Sequence, residues 1–155
     1  MIQPGIKITR ALPGDAAELS AIAYSAKAYW GYPESWLRQW DETLTITPGY
    51  VLGNPTFAAA SGARIAGFCS LVLRPGEAFL DHLWVLPSAM GVGIGSALFT
   101  FAEGVARSGG AQTLRVESDP HAEEFYIRMG ASRYGQVAAP MEGSERFLPL
   151  LEKRL

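Results

Sequence analysis

Apolar and polar residues alternate over residues 6–11, IKITRA, the period-two pattern of a strand with one buried face. Pro13-Gly14 breaks it, and Asp15 stands where a side chain can cap a helix. Leu19, Ile22, Ala23 and Ala26 then recur at helical spacing. Gly31 and Pro33 split residues 29–40 into two short helices, and residues 43–55 read as loop. Apolar runs at residues 56–60 and 65–73 flank the turn signal SGAR and predict a hairpin. Pro75-Gly76 makes another turn, and residues 79–86 form a strand stopped by Pro87. Ile94, Leu98, Phe101, Ala102 and Val105 mark one face of a helix that Ser108-Gly109-Gly110 ends. A strand at residues 113–117 follows, then a helix from Pro120 with Ala122, Phe125, Tyr126 and Met129 on one face, ended by Gly130. Late strands fall at residues 133–137 and 147–151. This order predicts a mixed α/β (α+β) fold with a largely antiparallel sheet, one domain over residues 1–155.

Composition adds bounds. Hydrophobic residues make up 48% of the 155, enough for a packed core. A net charge of −2 gives no basic footprint for nucleic acid. Cys69 is the only cysteine and lies in an apolar run, so no disulfide or cysteine metal cluster is expected, and its thiol reads as core or pocket wall. No apolar stretch is long enough to span a bilayer, and residues 1–10 hold no apolar leader core, so a cytoplasmic location is expected.

The densest signal is residues 80–98, LDHLWVLPSAMGVGIGSAL: a strand, a Pro-broken loop, a glycine run and a helix start. A helix start leaves its first N–H groups unpaired and carries partial positive charge, which suits an anion, and glycines let that anion come close. On its own the run is equally an unliganded tight turn. A nucleotide P-loop is excluded, since Ser96-Ala97 follows Gly95 where that motif needs Lys. A dinucleotide turn is excluded by the spacing of Gly91, Gly93 and Gly95 and by the antiparallel context.

The run resembles the acyl-CoA pyrophosphate loop of the GNAT N-acetyltransferase superfamily, Arg/Gln-x-x-Gly-x-Gly/Ala after a strand ending Val-x-Pro. Val85-Leu86-Pro87 supplies the strand end and Gly93-Ile94-Gly95 the glycines. Met90 stands where the family usually has Arg or Gln, which removes one polar contact and keeps the backbone cradle. A second stretch, residues 119–130, DPHAEEFYIRMG, resembles the family's later motif Asn-x-x-Ala-x-x-Phe-Tyr-x-x-x-Gly. Ala122, Phe125, Tyr126 and Gly130 fall in register, with Asp119 at the Asn position and His121 two residues on. The two motifs, in the right order, cover residues 57–129 well; the flanking segments match in order only.

The resemblance implies a GNAT fold whose parallel strands 4 and 5 splay apart, with about four helices. It implies acetyl-CoA as co-substrate and no metal. The backbone of Leu83, Trp84 and Val85 would pair with pantetheine like an added strand. The diphosphate would sit on Met90, Gly91, Val92, Gly93, Ile94, Gly95 and Ser96, with Asp119, His121 and Phe125 completing the cofactor site. Tyr126 would protonate the departing thiolate as general acid. An amide near Trp84 or Val85 would stabilise the oxyanion. Asp81, His82 and Glu117 are candidate bases, unless water takes the proton. With Leu83 and Val85 on one strand face, unbroken alternation puts Asp81 beside them and His82 with Trp84 opposite.

The acceptor, a small-molecule or peptide amine, would meet Tyr29, Trp30, Tyr32 and Trp36, with Trp40 and the loop at residues 138–146 nearby. Aromatic walls suit an apolar or cationic amine, and Arg146 could hold an acceptor carboxylate. Glu34, Asp41 and Glu42 are further charges in reach of an ammonium. The expected activity is N-acetyl transfer without nucleic-acid or membrane partners; the alternative is a non-catalytic acyl-CoA-binding regulatory module. Homodimers are common among proteins of this pattern, so a homodimer is compatible with it.

Overall fold

A computed structural model describes residues 5–155; residues 1–4, part of the stretch examined for a leader core, lie outside the described residues. Strand β1 (Ile6–Arg10) leads through a short 3-10 turn into α1 (Ala16–Ala28), α2 (Glu34–Gln39), α3 (Asp41–Leu44) and α4 (Pro48–Gly53). Strands β2 (Thr56–Ser61), β3 (Arg64–Arg74) and β4 (Glu77–Val85) follow, then α5 (Ile94–Ser108), β5 (Thr113–Glu117), α6 (Glu123–Arg128), β6 (Ser132–Ala138) and β7 (Phe147–Arg154). All seven strands join one sheet in the order β1-β2-β3-β4-β5-β7-β6. Every pairing is antiparallel except β4 with β5. The mixed α/β class and the parallel fourth and fifth strands are as expected.

The sheet is buried on both sides. On one, Leu98, Phe99 and Ala102 of α5 pack against Cys69, Leu71, Leu80 and Leu114. On the other, Leu19, Ile22 and Ala23 of α1 pack with Val51 and Phe68. β3 lies between these layers, which is why Ile65 to Leu71 are all buried and read as a continuous apolar run.

Among the described residues there are six α-helices rather than about four. The additional ones fall mostly in residues 43–55, expected to be loop. There the Thr47 side chain accepts the Tyr50 N–H at 3.0 Å and Pro48 starts the turn, and Val51 anchors it in the core. The buried face of α5 also differs in part. Ile94, Leu98 and Ala102 are buried as expected, but Phe99 is buried too, while Phe101 is 37% exposed beside Phe57. Phe99 meets Phe125 and Tyr126, so α5 is covered on its flank by α6 as well as by the sheet.

One irregularity sets up the site. Ser70 pairs with His82 and Leu71 with Leu80, so β4 carries one extra residue, Asp81. Such a bulge bends the strand and turns the extra side chain. Ala78 and Leu80 before it, and Leu83 and Val85 after it, all pack on the α5 side. Asp81 instead meets Tyr50 of α4, on the side of His82 and Trp84. The expectation that Asp81 shares a face with Leu83 and Val85 is therefore corrected: the bulge breaks the alternation it assumed.

Candidate active site

β4 pairs with β5 only through Glu77, Ala78 and Phe79. Beyond Phe79 the two strands part, and the β4 edge at Leu83, Trp84 and Val85 has no strand on that side. A cleft of about 800 Å³ opens there. Its floor holds Leu83, Trp84 and Val85; its rim holds Met90, Gly91, Gly93, Ile94, Gly95 and Ser96; and the end of β5 and start of α6 supply Glu117, Asp119, His121, Phe125 and Tyr126. Val92 packs against the core instead.

The glycine run has the backbone that its sequence requires. Gly91 and Gly93 have φ of 82° and 90°, where a side chain would be strained. Gly93 is the N-cap of α5, and no side chain caps that helix. Its first amides are thus left for solvent or an anion. The ring of Phe125 lies 3.5 Å from where a Gly95 Cβ would stand, so α6 closes over the start of α5. These features fit an acyl-CoA: an unpaired strand edge for amide groups and an uncapped helix start for a diphosphate.

Tyr126 is 6% exposed, its ring wedged between Phe99 and Phe125. Among the described residues its hydroxyl has no hydrogen-bond partner, yet no sequestered side-chain nitrogen or oxygen there lacks one. The hydroxyl therefore opens on the cleft that Tyr126 lines. Burial pushes its pKa up, and Cys69 and Asp119 add to that. Cys69 is fully buried, its thiol pushed up to about 12 by burial and directed at the Leu98 carbonyl.

Across the cleft, Asp81 accepts a hydrogen bond from the Tyr50 hydroxyl at 2.5 Å. Since Tyr50 has one proton, Ser70 donates the 2.8 Å hydrogen bond between their hydroxyls. The Trp84 indole N–H donates to His82 Nδ1 at 2.9 Å. An indole nitrogen only donates, so Nδ1 is an acceptor and a neutral ring carries its proton on Nε2, 3.9 Å from Asp81. Burial pushes the His82 pKa down, against the pull of Asp81.

Asp119 is the centre of a network. It accepts from Lys27 Nζ at 2.6 Å, Tyr32 Oη at 2.9 Å, the His121 backbone at 2.8 Å and Arg146 Nη2 at 3.4 Å. Burial alone would raise the Asp119 carboxyl, but Lys27 and His121 outweigh it and hold it down to about 2. Lys27 is pushed down by burial, with Asp119 opposing, and burial raises Tyr32 to about 12. Trp30 stacks on His121 with ring centroids 5.0 Å apart. Of the aromatics expected around an acceptor, Trp30 and also Trp40 line the cleft, Tyr32 reaches it through Asp119, and Trp36 and the 57% exposed Tyr29 stand behind them.

Two participants had no place in the sequence reading. Lys27 follows Leu19, Ile22, Ala23 and Ala26 on the apolar stripe of α1, and a lysine in that register is a legible signal. Tyr50 sat in presumed loop and carried none.

A sheet split between parallel strands, with an uncapped helix start and a tyrosine hydroxyl at the split, is an arrangement that fits an acyl-CoA-dependent transferase. The profile described as the acetyltransferase (GNAT) family matches residues 19–131, and the chain belongs to that family of acyltransferases. The fold is shared with a GCN5-related N-acetyltransferase from Rhodopseudomonas palustris, with 23% identity over 100% of this chain and 99% of that one and a TM-score of 0.82. It is similar to the PaiA N-acetyltransferase from Thermoplasma acidophilum in complex with coenzyme A: 20% identity, 97% and 99% covered, TM-score 0.75. The ribosomal-protein-S18-alanine N-acetyltransferase from Escherichia coli gives 16%, 96% and 93%, and 0.74. Among curated proteins, none matches the chain by sequence. No helix among the described residues is long and apolar enough to cross a membrane.

Proposed function

We propose that residues 1–155 act as a single cytoplasmic acetyltransferase domain. It moves an acetyl group from acetyl-CoA to a primary amine of a small molecule or protein by direct attack. The observation that carries this reading is the Tyr126 hydroxyl, free of protein partners and opening on the cleft between the unpaired β4 edge and the uncapped start of α5.

When bound, acetyl-CoA supplies the activated thioester. The β4 edge at Leu83, Trp84 and Val85 holds its pantetheine amides, and the amides of residues 93–96 hold its diphosphate. An N–H of the same edge stabilises charge on the carbonyl oxygen. Tyr126 gives its proton to the sulfur as the C–S bond breaks and the N–C bond forms. Asp81 takes the amine's proton, directly or through water. His82 is poorly suited to that step, because Nδ1 is engaged by Trp84 and Nε2 already bears hydrogen. Glu117 offers a second carboxylate at the end of β5.

The test is free-thiol release from acetyl-CoA with an amine panel, alongside a CoA thermal shift. At 100 times Kd, CoA binding stabilises the fold by about 2.7 kcal/mol. Amine-dependent thiol release is expected. A thermal shift with no release across the panel replaces this reading with a non-catalytic acyl-CoA-binding module, and no shift removes the cofactor altogether.

A further inference from the structure

Arg146 has an arrangement that its internal contacts do not exhaust. Its side chain is 9% exposed and comes from the segment just before β7. One nitrogen, Nη2, reaches Tyr32 Oη and Asp119 Oδ2, both at 3.4 Å. Nε and Nη1 make no hydrogen bond to any of the described residues. No sequestered side-chain nitrogen among the described residues is unpaired, so these donors face the cleft that Arg146 lines. The guanidinium lies 4.8 Å from the ring centre of Trp40, and Lys27 Nζ lies 4.3 Å from the same ring. Stacking of this kind fixes the plane of the guanidinium.

The local charge is not balanced. Lys27 and Arg146 bring two positive charges, and Asp119 supplies one negative. The other carboxylates lining the cleft, Asp81, Glu117 and Glu124, form no ion pair with either cation. A guanidinium of fixed plane, with free donors on Nε and Nη1 and one uncompensated positive charge, suits a carboxylate. The glycine run lies elsewhere in the cleft: Gly95 sits under Phe125, whereas Arg146 is fastened to Tyr32 and Asp119 and stacks on Trp40.

We infer that Arg146, oriented by Trp40 and Asp119, binds the carboxylate of the acceptor, so that the amine acetylated belongs to a free amino acid. This rests on the acetyltransferase reading for its chemistry, though not for its binding. Asp119 is then a positioning residue: it holds Lys27, Tyr32 and His121 around the fork and does not itself touch the acceptor.

The experiment compares each free amino acid with its own carboxamide, which keeps the amine and loses the negative charge. The carboxamide's amine is also the more easily deprotonated, so its chemistry favours it and works against the inference. The wild-type protein is expected to prefer at least one amino acid over its carboxamide in kcat/KM by about 10- to 100-fold. In Arg146→Lys and Arg146→Gln that ratio should fall towards one, carried mainly by KM. CoA thermal shift and circular dichroism report whether the variants are folded, and the conservative Lys variant should keep more of the preference than Gln. Amino-acid binding to the CoA-loaded protein, read by saturation-transfer NMR, tests the carboxylate site even if no amine is acetylated. Equal use of acid and carboxamide by the wild type overturns the inference. So does an unchanged ratio in a folded Gln variant, which would leave Arg146 as a strut between the β6–β7 loop and the Tyr32–Asp119 pair.

Discussion

Replacing Tyr126 with Phe removes one oxygen from the centre of the cleft, and the structure separates what that costs in stability from what it costs in rate. The ring stays packed, 5.9 Å from Phe99 and 5.2 Å from Phe125 between centroids. The hydroxyl donates to no protein group, so its loss orphans nothing, and folding stability should move by no more than about 0.5 kcal/mol. The phenol's pKa is raised by burial, so it stays protonated throughout the neutral range and is ready to donate. A general acid contributes about 10²- to 10⁴-fold, or roughly 2.7–5.5 kcal/mol on the barrier. Three measurements on one preparation check this: kcat from thiol release at saturating acetyl-CoA, the urea midpoint, and the CoA thermal shift. The expected result is a fall in kcat of that size with the other two unchanged. The loss should shrink with an acyl donor whose thiol is more acidic, since that sulfur needs its proton less. Unchanged turnover would refute the role. An equal fall in stability or CoA binding would reassign the loss to packing.

Two further outcomes follow from the geometry. Gly67→Ala would set a Cβ 2.8 Å from the Trp84 backbone carbonyl and 3.3 Å from Leu98 Cδ1, so urea denaturation should show a loss of about 1–3 kcal/mol; an unchanged midpoint would mean that β3 and β4 can slide apart there. Asp119 has a folded pKa of about 2 against an ordinary 3.8, so it adds stability that is complete above about pH 4 and is lost as pH falls through 2. The urea stability of the wild type should drop by on the order of 1–2 kcal/mol more than that of Asp119→Asn across this window, and parallel pH curves would show that the pair with Lys27 contributes nothing.

The chain's periodicities were enough to read most of the fold, because long apolar runs and glycine stops carry their own physics. β3 was legible from its continuous burial, and α5 from the Ile94–Leu98–Ala102 stripe and its terminal glycines. What escaped was set by tertiary contact. Phe99 and Phe101 are both large apolar residues near one edge of that stripe, and only the presence of α6 decides which is buried. α3 and α4 are too short for periodicity and rest on a Thr47 cap and on Leu44 and Val51 finding the core. Within the site, the glycine run and Tyr126 were visible as motifs. The network around Asp119 was not, because its members lie as far apart in sequence as Lys27 and Arg146.

The bulge at Asp81 shows why one residue can reorganise a site that simple alternation would arrange differently. Parallel pairing ends at Phe79, two residues before the bulge, and the bent strand then runs clear of β5. The same extra residue restores Leu83 and Val85 to the α5 side, keeping that core closed beneath the cleft. It also sends the Asp81 carboxylate to Tyr50 and leaves it beside His82, whose Nδ1 is taken by Trp84. Without the bulge, alternation counted from Leu80 would turn His82 and Trp84 to the α5 side and send Leu83 and Val85 out of that core. The open sheet edge, the dry core and the exposed carboxylate on the far side of the cleft from Tyr126 are therefore linked consequences of the bulge at one inserted position. Deleting Asp81 would leave Leu80, Leu83 and Val85 on the α5 side in regular register with β3, and would remove only the bend and the carboxylate.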